Sequence, residues 1–133
     1  MRNAAELAER AVAYKHEGCN CAQAVVAALQ GETQTDGETL RRLAVGFGLG
    51  MGNMEGTCGA LVGAVLLAGL HTDGQGTMRL ARQISEQFLR ESGAVICKAL
   101  KGKTDPAVFC PCDECVRNAV KAYCTVIDEA EGR

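Results

Sequence analysis

Residues 58–70, CGALVGAVLLAGL, contain no charged side chain and no hydroxyl or amide side chain. A helix that is apolar all round has no face to offer water, so it must lie inside and be covered by others. The run is shorter than the roughly 20 residues needed to cross a bilayer. The pattern therefore predicts a buried helix over about 57–71, capped by Thr57 and with Cys58 at its first position. Gly59, Gly63, Ala60, Ala64 and Ala68 leave faces on which neighbouring backbones can come close.

The rest of the chain supplies helices to cover it, because nearly every segment has the helical period and no run alternates as a strand would. Asn3 and Glu6 are spaced as a capping box before the stripe Leu7, Ala8, Ala11, Val12 and Tyr14, with Gly18 beyond. Asn20 and Gln23 form a second such pair, before Cys21, Ala24, Val25, Ala28 and Leu29, and Gly31 closes that segment. Thr35 and Glu38 form a third pair, ahead of Leu40, Leu43, Ala44 and Phe47. A fifth helix is expected over about 77–89 with Met78, Ala81, Ile84 and Phe88 inward, stopping near Gly93. A short one around Ile96 to Leu100 carries Cys97. The last begins at Cys110 or Pro111, since proline suits a first helical position and Asp113 and Glu114 suit the first turn. Its stripe runs through Val116, Ala119, Val120, Tyr123 and Ile127. The fold class is therefore all-α: a compact bundle of five to seven helices around the central apolar one. A chain of 133 residues is the size of one ordinary domain, and no repeat or long linker divides 1–133.

With 47% apolar and 23% charged residues the composition is that of a globular protein, and a net charge of −2 leaves no electrostatic footprint for nucleic acid or an anionic membrane. The amino-terminal stretch is charged and amphipathic rather than apolar, so no signal peptide or membrane anchor is expected and the cytoplasm is the expected location. In that reducing setting eight cysteines point to metal ligation or thiol redox chemistry more than to permanent disulfides.

Cys21, Cys58, Cys112 and Cys115 all fall in predicted first turns of helices, with Cys97 near the start of a short one. The amino end of a helix carries free N–H groups and partial positive charge, which favour thiolate over thiol. Cys112 and Cys115, at i and i+3, share a face that could bind metal or close a disulfide. Cys124, on the inner side of the last helix, is most simply a small core residue. A two-pair zinc ribbon would need a second CxxC, which is absent. His16 and His71 stand near predicted helix ends and read as solvated or capping residues. A c-type haem needs CxxCH, and Val116 occupies the histidine position. The stretch GFGLGMG follows a helix rather than a strand, so a nucleotide-binding fingerprint does not apply. Five glycines, at 46, 48, 50, 52 and 56, predict a loop of unusual dihedrals that packs over the Cys58 helix, with amides able to donate to sulfur.

Four segments in a fixed order carry a resemblance: NCAQAV at 20–25, the glycine loop ending in CGALVG at 58–63, CKAL at 97–100 and CVRNAV at 115–120. Together they resemble the redox-active proteins named for the signature C_GCAxxG_C_C. The same chain is similar to a helical domain found at one end of split-Soret cytochromes, where an iron–sulfur cluster has been associated with it. The resemblance implies that the family's four cysteines fall on Cys21, Cys58, Cys97 and Cys115, with Gly59, Ala60 and Gly63 matching the small residues of the central motif. Gly56, Gly59 and Gly63 are the expected supports of the site. Cys19, Cys110, Cys112 and Cys124 lie outside the pattern as accessory ligands, resolving thiols or packing.

Four thiolates satisfy either a [2Fe–2S] or a [4Fe–4S] cluster. The function expected is thus electron transfer through an iron–sulfur cluster on Cys21, Cys58, Cys97 and Cys115. The alternatives are a thiol–disulfide oxidoreductase with no metal, cycling pairs such as Cys112 and Cys115 or Cys19 and Cys21, and a structural zinc or interaction module. The expected partners are a redox protein and, through the small-residue faces, a second copy of the chain as a homodimer, with neither nucleic acid nor membrane insertion.

Overall fold

The helix starts follow from side chains that cap them. In the computed structural model, which describes residues 2–132, α1 (Ala4–His16) opens at Asn3, whose side chain accepts the Glu6 N–H. α2 (Cys21–Ala28) has a complete capping box: Asn20 Oδ1 accepts from Gln23 N and Gln23 Oε1 accepts from Asn20 N, both at 3.0 Å. It ends at Leu29 in the single tight turn Gln30–Glu32, before Gly31 can close it. α3 (Gly37–Ala44) starts one residue later than the Thr35–Glu38 pairing predicts. Asp36 is the cap and accepts from Thr39 N at 2.9 Å and Thr39 Oγ1 at 3.0 Å.

α4 (Gly59–His71) is the apolar segment, and it too starts one residue late, with Cys58 rather than Thr57 at the cap. Thr57 is occupied elsewhere, in an antiparallel bridge with Ile96. α5 runs Thr77–Ser92 between left-handed glycines at 76 and 93, α6 is the single turn Cys97–Leu100, and α7 (Cys112–Ala130) begins after Pro111, not at Cys110 or Pro111. All described regular structure is thus helical: seven helices and no strand. No helix among the described residues is long and apolar enough to cross a membrane.

α4 packs against α2, α5 and α7, while α7 also lies along α1 and α5. The close approach of α2 and α4 needs Gly63, where a Cβ would stand 2.9 Å from Ala22 O and 3.1 Å from Val25 Cβ. Ala60, Leu61, Ala64, Leu67 and Ala68 are buried, but Val62, Val65, Leu66 and Leu70 keep partial exposure, so α4 is covered on three sides and not all round. The α7 stripe Val116, Ala119, Val120, Tyr123 and Ile127 is buried as predicted. Two inward assignments are corrected. Met78 is 89% exposed, because α5 turns Leu80, Ile84 and Phe88 to the core, and Leu43 is 53% exposed, because α3 turns Leu40 and Ala44 to the core.

Outside the segments that carry Cys21, Cys58, Cys97 and Cys115 lies a charged network. Arg2 donates to Glu32 at 2.6 Å, to Asp128 at 2.6 Å and to Glu131 at 2.9 Å, with its side chain only 10% exposed. His71 is neither a cap nor solvated: it bonds Glu32 O at 2.9 Å and Glu131 at 2.8 Å, beside the edge of Tyr123. Hydrogen bonds from Arg2 and then His71 hold the Glu131 carboxyl down at about 2. Burial would lower the His71 pKa, but its contacts with Glu131 and Glu32 outweigh that and raise it above 6.5.

The sign of the pH dependence follows. A carboxylate whose pKa is depressed on folding stabilises above its ordinary 4.5, and that stability is lost as pH falls towards 2. A histidine whose pKa is raised stabilises fully below 6.5, and that contribution fades as pH rises through its folded value. Denaturation of the metal-free chain is expected to show greatest stability between about pH 5 and 6.5. A curve that stays level from pH 5 down to 2 would contradict the network.

Candidate functional site

Six of the eight cysteines line one cavity. It measures about 180 Å³, several times what one water needs, and its walls are Cys21, Cys58, Cys97, Cys110, Cys112 and Cys115 with Lys15, Asn20, Leu49, Leu100 and Lys101. The four cysteines singled out by the resemblance are all present in it. Two of the accessory thiols, Cys110 and Cys112, join them. Cys19 lies outside it, half-buried, and Cys124 is buried in the core, where desolvation pushes its thiol up to about 12. Neither histidine reaches the cavity; His16 is exposed and bonds Asp113 at 2.9 Å.

Local chemistry places each thiol. The capping box fixes the start of α2 and with it Cys21, and Asn20 Nδ2 also donates to Val45 O at 3.0 Å, tying the glycine loop to that helix. The loop then turns through left-handed backbone at Leu49 (φ 56°), Gly50, Met51, Gly52 and Met54. Three of these are not glycine, which marks real strain rather than simple flexibility. That turn aims the Leu49 N–H at the Cys21 sulfur, as a loop with sulfur-directed amides would. Gly50 sits so near α6 that a Cβ there would be 2.4 Å from Cys97 Cβ.

Cys58 and Cys97 are set beside each other by a short zipper: Cys58 N donates to Val95 O at 2.7 Å, Cys97 N to Gly56 O at 2.9 Å, and Thr57 bridges Ile96 between them. Gly56 supports the site through that carbonyl. Gly59 and Gly63 support it as residues of α4 and not of the loop, since α4 begins at Gly59. A Cβ on Gly59 would lie 2.6 Å from Phe47 O and 2.8 Å from Cys21 Sγ. Cys110 is anchored by its N–H on Leu100 O at 2.8 Å, which folds the 101–111 segment back to the mouth of the cavity.

Electrostatics divides the thiols. Cys58 caps α4; its contact with Cys115 and the amides of Ala60 and Leu61 outweigh burial and lower its pKa. Cys115, whose Sγ donates to Cys110 O at 3.4 Å, is pushed up, first by its contact with Cys58 and then by burial. Burial also pushes up Cys21, against the help of the Leu49 amide, and Cys97. Cys97 begins a helix of one turn, too short to carry the dipole that the sequence reading assigned to it. Lys101 stands in no motif, yet its Nζ donates to Cys112 Sγ at 2.9 Å, and that bond holds the ammonium firmly protonated. A lysine near cysteines in CKALKGK was the available signal, but its reach depends on how residues 101–111 fold back.

Among the described residues no three His, Cys, Asp or Glu side chains converge closely enough to hold one metal ion. A single zinc would need its sulfurs about 3.8 Å apart at bonds of about 2.3 Å. Cys21, Cys58, Cys97, Cys110, Cys112 and Cys115 instead line one shared cavity. Cys58 beside Cys115 is also a thiol pair capable of redox exchange.

No curated protein and no solved structure is significantly similar to the chain. Residues 19–126, which take in all eight cysteines, match the family described as "Putative redox-active protein (C_GCAxxG_C_C)". The chain belongs to the C_GCAxxG_C_C family.

Proposed function

We propose that the protein is an electron carrier whose cavity holds an iron–sulfur cluster on Cys21, Cys58, Cys97 and, in the family pattern, Cys115 of α7. The observation that carries this reading is the convergence of thiols from four distant segments on one cavity wide enough for more than a single ion. Iron–sulfur clusters take cysteine thiolates as ligands, and the bound cluster would supply the site of electron storage. The chain's part is to hold the thiolates in place and offset their charge: the α4 amides at Cys58, the Leu49 amide at Cys21 and Lys101 at Cys112 all do so. Leu100 and Leu49 supply apolar wall, which limits water and helps set the potential.

After anaerobic reconstitution with iron and sulfide, the protein is expected to take up and release one electron reversibly in a dithionite titration followed by visible absorption. A chain without visible absorption, or one that cannot be re-oxidised, would sink the carrier reading. The Cys58 thiol, lowered in pKa and sharing the cavity with Cys115, favours a second reading as a dithiol oxidoreductase. Thiol counts that fall by two on oxidation of the metal-free chain and recover on reduction would support it.

A further inference from the structure

α7 brings two thiols to the cavity, and their surroundings differ. Cys115 is buried, and its hydrogen-bonding capacity is taken up by Cys58 and by the carbonyl of Cys110 at 3.4 Å. Cys112, at the first position of the helix, is only half-buried. It receives the Lys101 ammonium at 2.9 Å. Lys101, itself on the cavity wall, lies within electrostatic reach of Cys97, Cys21 and Cys58 as well as Cys112. The ammonium therefore stands among four thiols that come one each from α2, α4, α6 and α7. Cys115 lines the same cavity, but its own partners are Cys58 and Cys110 rather than the ammonium.

We infer that Cys112, rather than Cys115, is the thiolate that α7 gives to the group bound in this cavity, and that Lys101 is the positioning residue that holds it there. The inference rests on the reading that the cavity binds an iron–sulfur cluster. A thiolate is the ligating form of cysteine, and a fixed cation in hydrogen-bond contact, together with the first-turn amides of a long helix, stabilises it. A cluster bound by four thiolates carries net negative charge, and an ammonium beside one ligand lowers the cost of adding an electron. Cys115, whose thiol donates to Cys110 O at 3.4 Å, shapes the wall beside Cys58.

The test uses the full chain loaded anaerobically with iron and sulfide. Alkylation by iodoacetamide, mapped by mass spectrometry, is expected to label Cys112 in the metal-free chain and about tenfold more slowly in the loaded one. Equal labelling in the two states would overturn the assignment, and no variant has to fold for this readout. In parallel, Cys112→Ser is expected to retain about tenfold less iron than the wild type, while Cys115→Ser keeps most of it. Iron lost from Cys115→Ser and kept in Cys112→Ser would also overturn it. Lys101→Met is expected to keep its iron but shift the reduction potential downward, with Lys101→Arg close to the wild type; an unchanged potential in Lys101→Met would remove the lysine's role. A wild-type chain that takes up neither iron nor sulfide fails at the underlying reading, before the two cysteines are compared, and the inference falls with it.

Discussion

Gly59→Ala is expected to destabilise the chain by about 3 kcal/mol and to disrupt the cysteine cavity. On helix propensity alone the change should help, since alanine is favoured over glycine by about 1 kcal/mol in a helix interior. Packing decides the other way. The new methyl would stand 2.6 Å from the carbonyl oxygen of Phe47 and 2.8 Å from Cys21 Sγ, and the first of these is backbone that cannot rotate aside. Either the glycine loop or the start of α2 must move, and both carry the cavity wall. Gly69, ten residues further along the same helix, is the control. Its nearest obstacle is Thr77 Cγ2 at 3.9 Å, an ordinary contact, so Gly69→Ala should be neutral or stabilising by up to about 1 kcal/mol. Urea denaturation of the two variants checks this, and equal effects would show that the close approach at Gly59 does not govern the fold.

The second large effect lies in the charged network. Arg2→Met is expected to cost about 3 kcal/mol at neutral pH, because it withdraws the cation shared by Glu32, Asp128 and Glu131 from a site where its side chain is 10% exposed. The loss comes mainly from carboxylates left close together with less compensation. It should therefore shrink on acidification, as the acids take up protons and no longer repel one another. A penalty that is the same at pH 7 and pH 3, or one near zero at pH 7, would show that Arg2 acts through packing or not at all.

These two sites also show which parts of the molecule can be read from sequence. The start of α2 was legible because a capping box is local: Asn20 and Gln23 satisfy each other's backbone groups within one turn. The inner stripe of α7 was legible because five apolar residues at helical spacing admit only one face. α5 was harder. Met78 with Ala81, and Leu80 with Ile84, both fit the helical period, and only the surface offered by α4 and α7 selects the second. The cap of α4 was misplaced by one residue since Thr57 pairs with Ile96, some forty residues away, a bond no local pattern reveals.

The cavity divides in the same way. Cys21, Cys58, Cys97, Cys112 and Cys115 could be placed near helix starts, and the family resemblance selected Cys21, Cys58, Cys97 and Cys115 among them. That Cys110, Cys112 and Lys101 line the same space depends on the return of residues 101–111, fixed by the Cys110 N–H on Leu100 O, which is tertiary information. The Arg2 network was not legible at all: its members come from the two ends of the chain and from two turns between, and none stands in a motif.

The central claim is that these thiols hold a cluster, and the most direct measurement is iron and acid-labile sulfide per chain after purification under strict exclusion of air. The account predicts both, in nearly equal and at least stoichiometric amounts, and their joint loss in Cys58→Ser. A colourless wild-type protein containing neither, even after reconstitution, would contradict it.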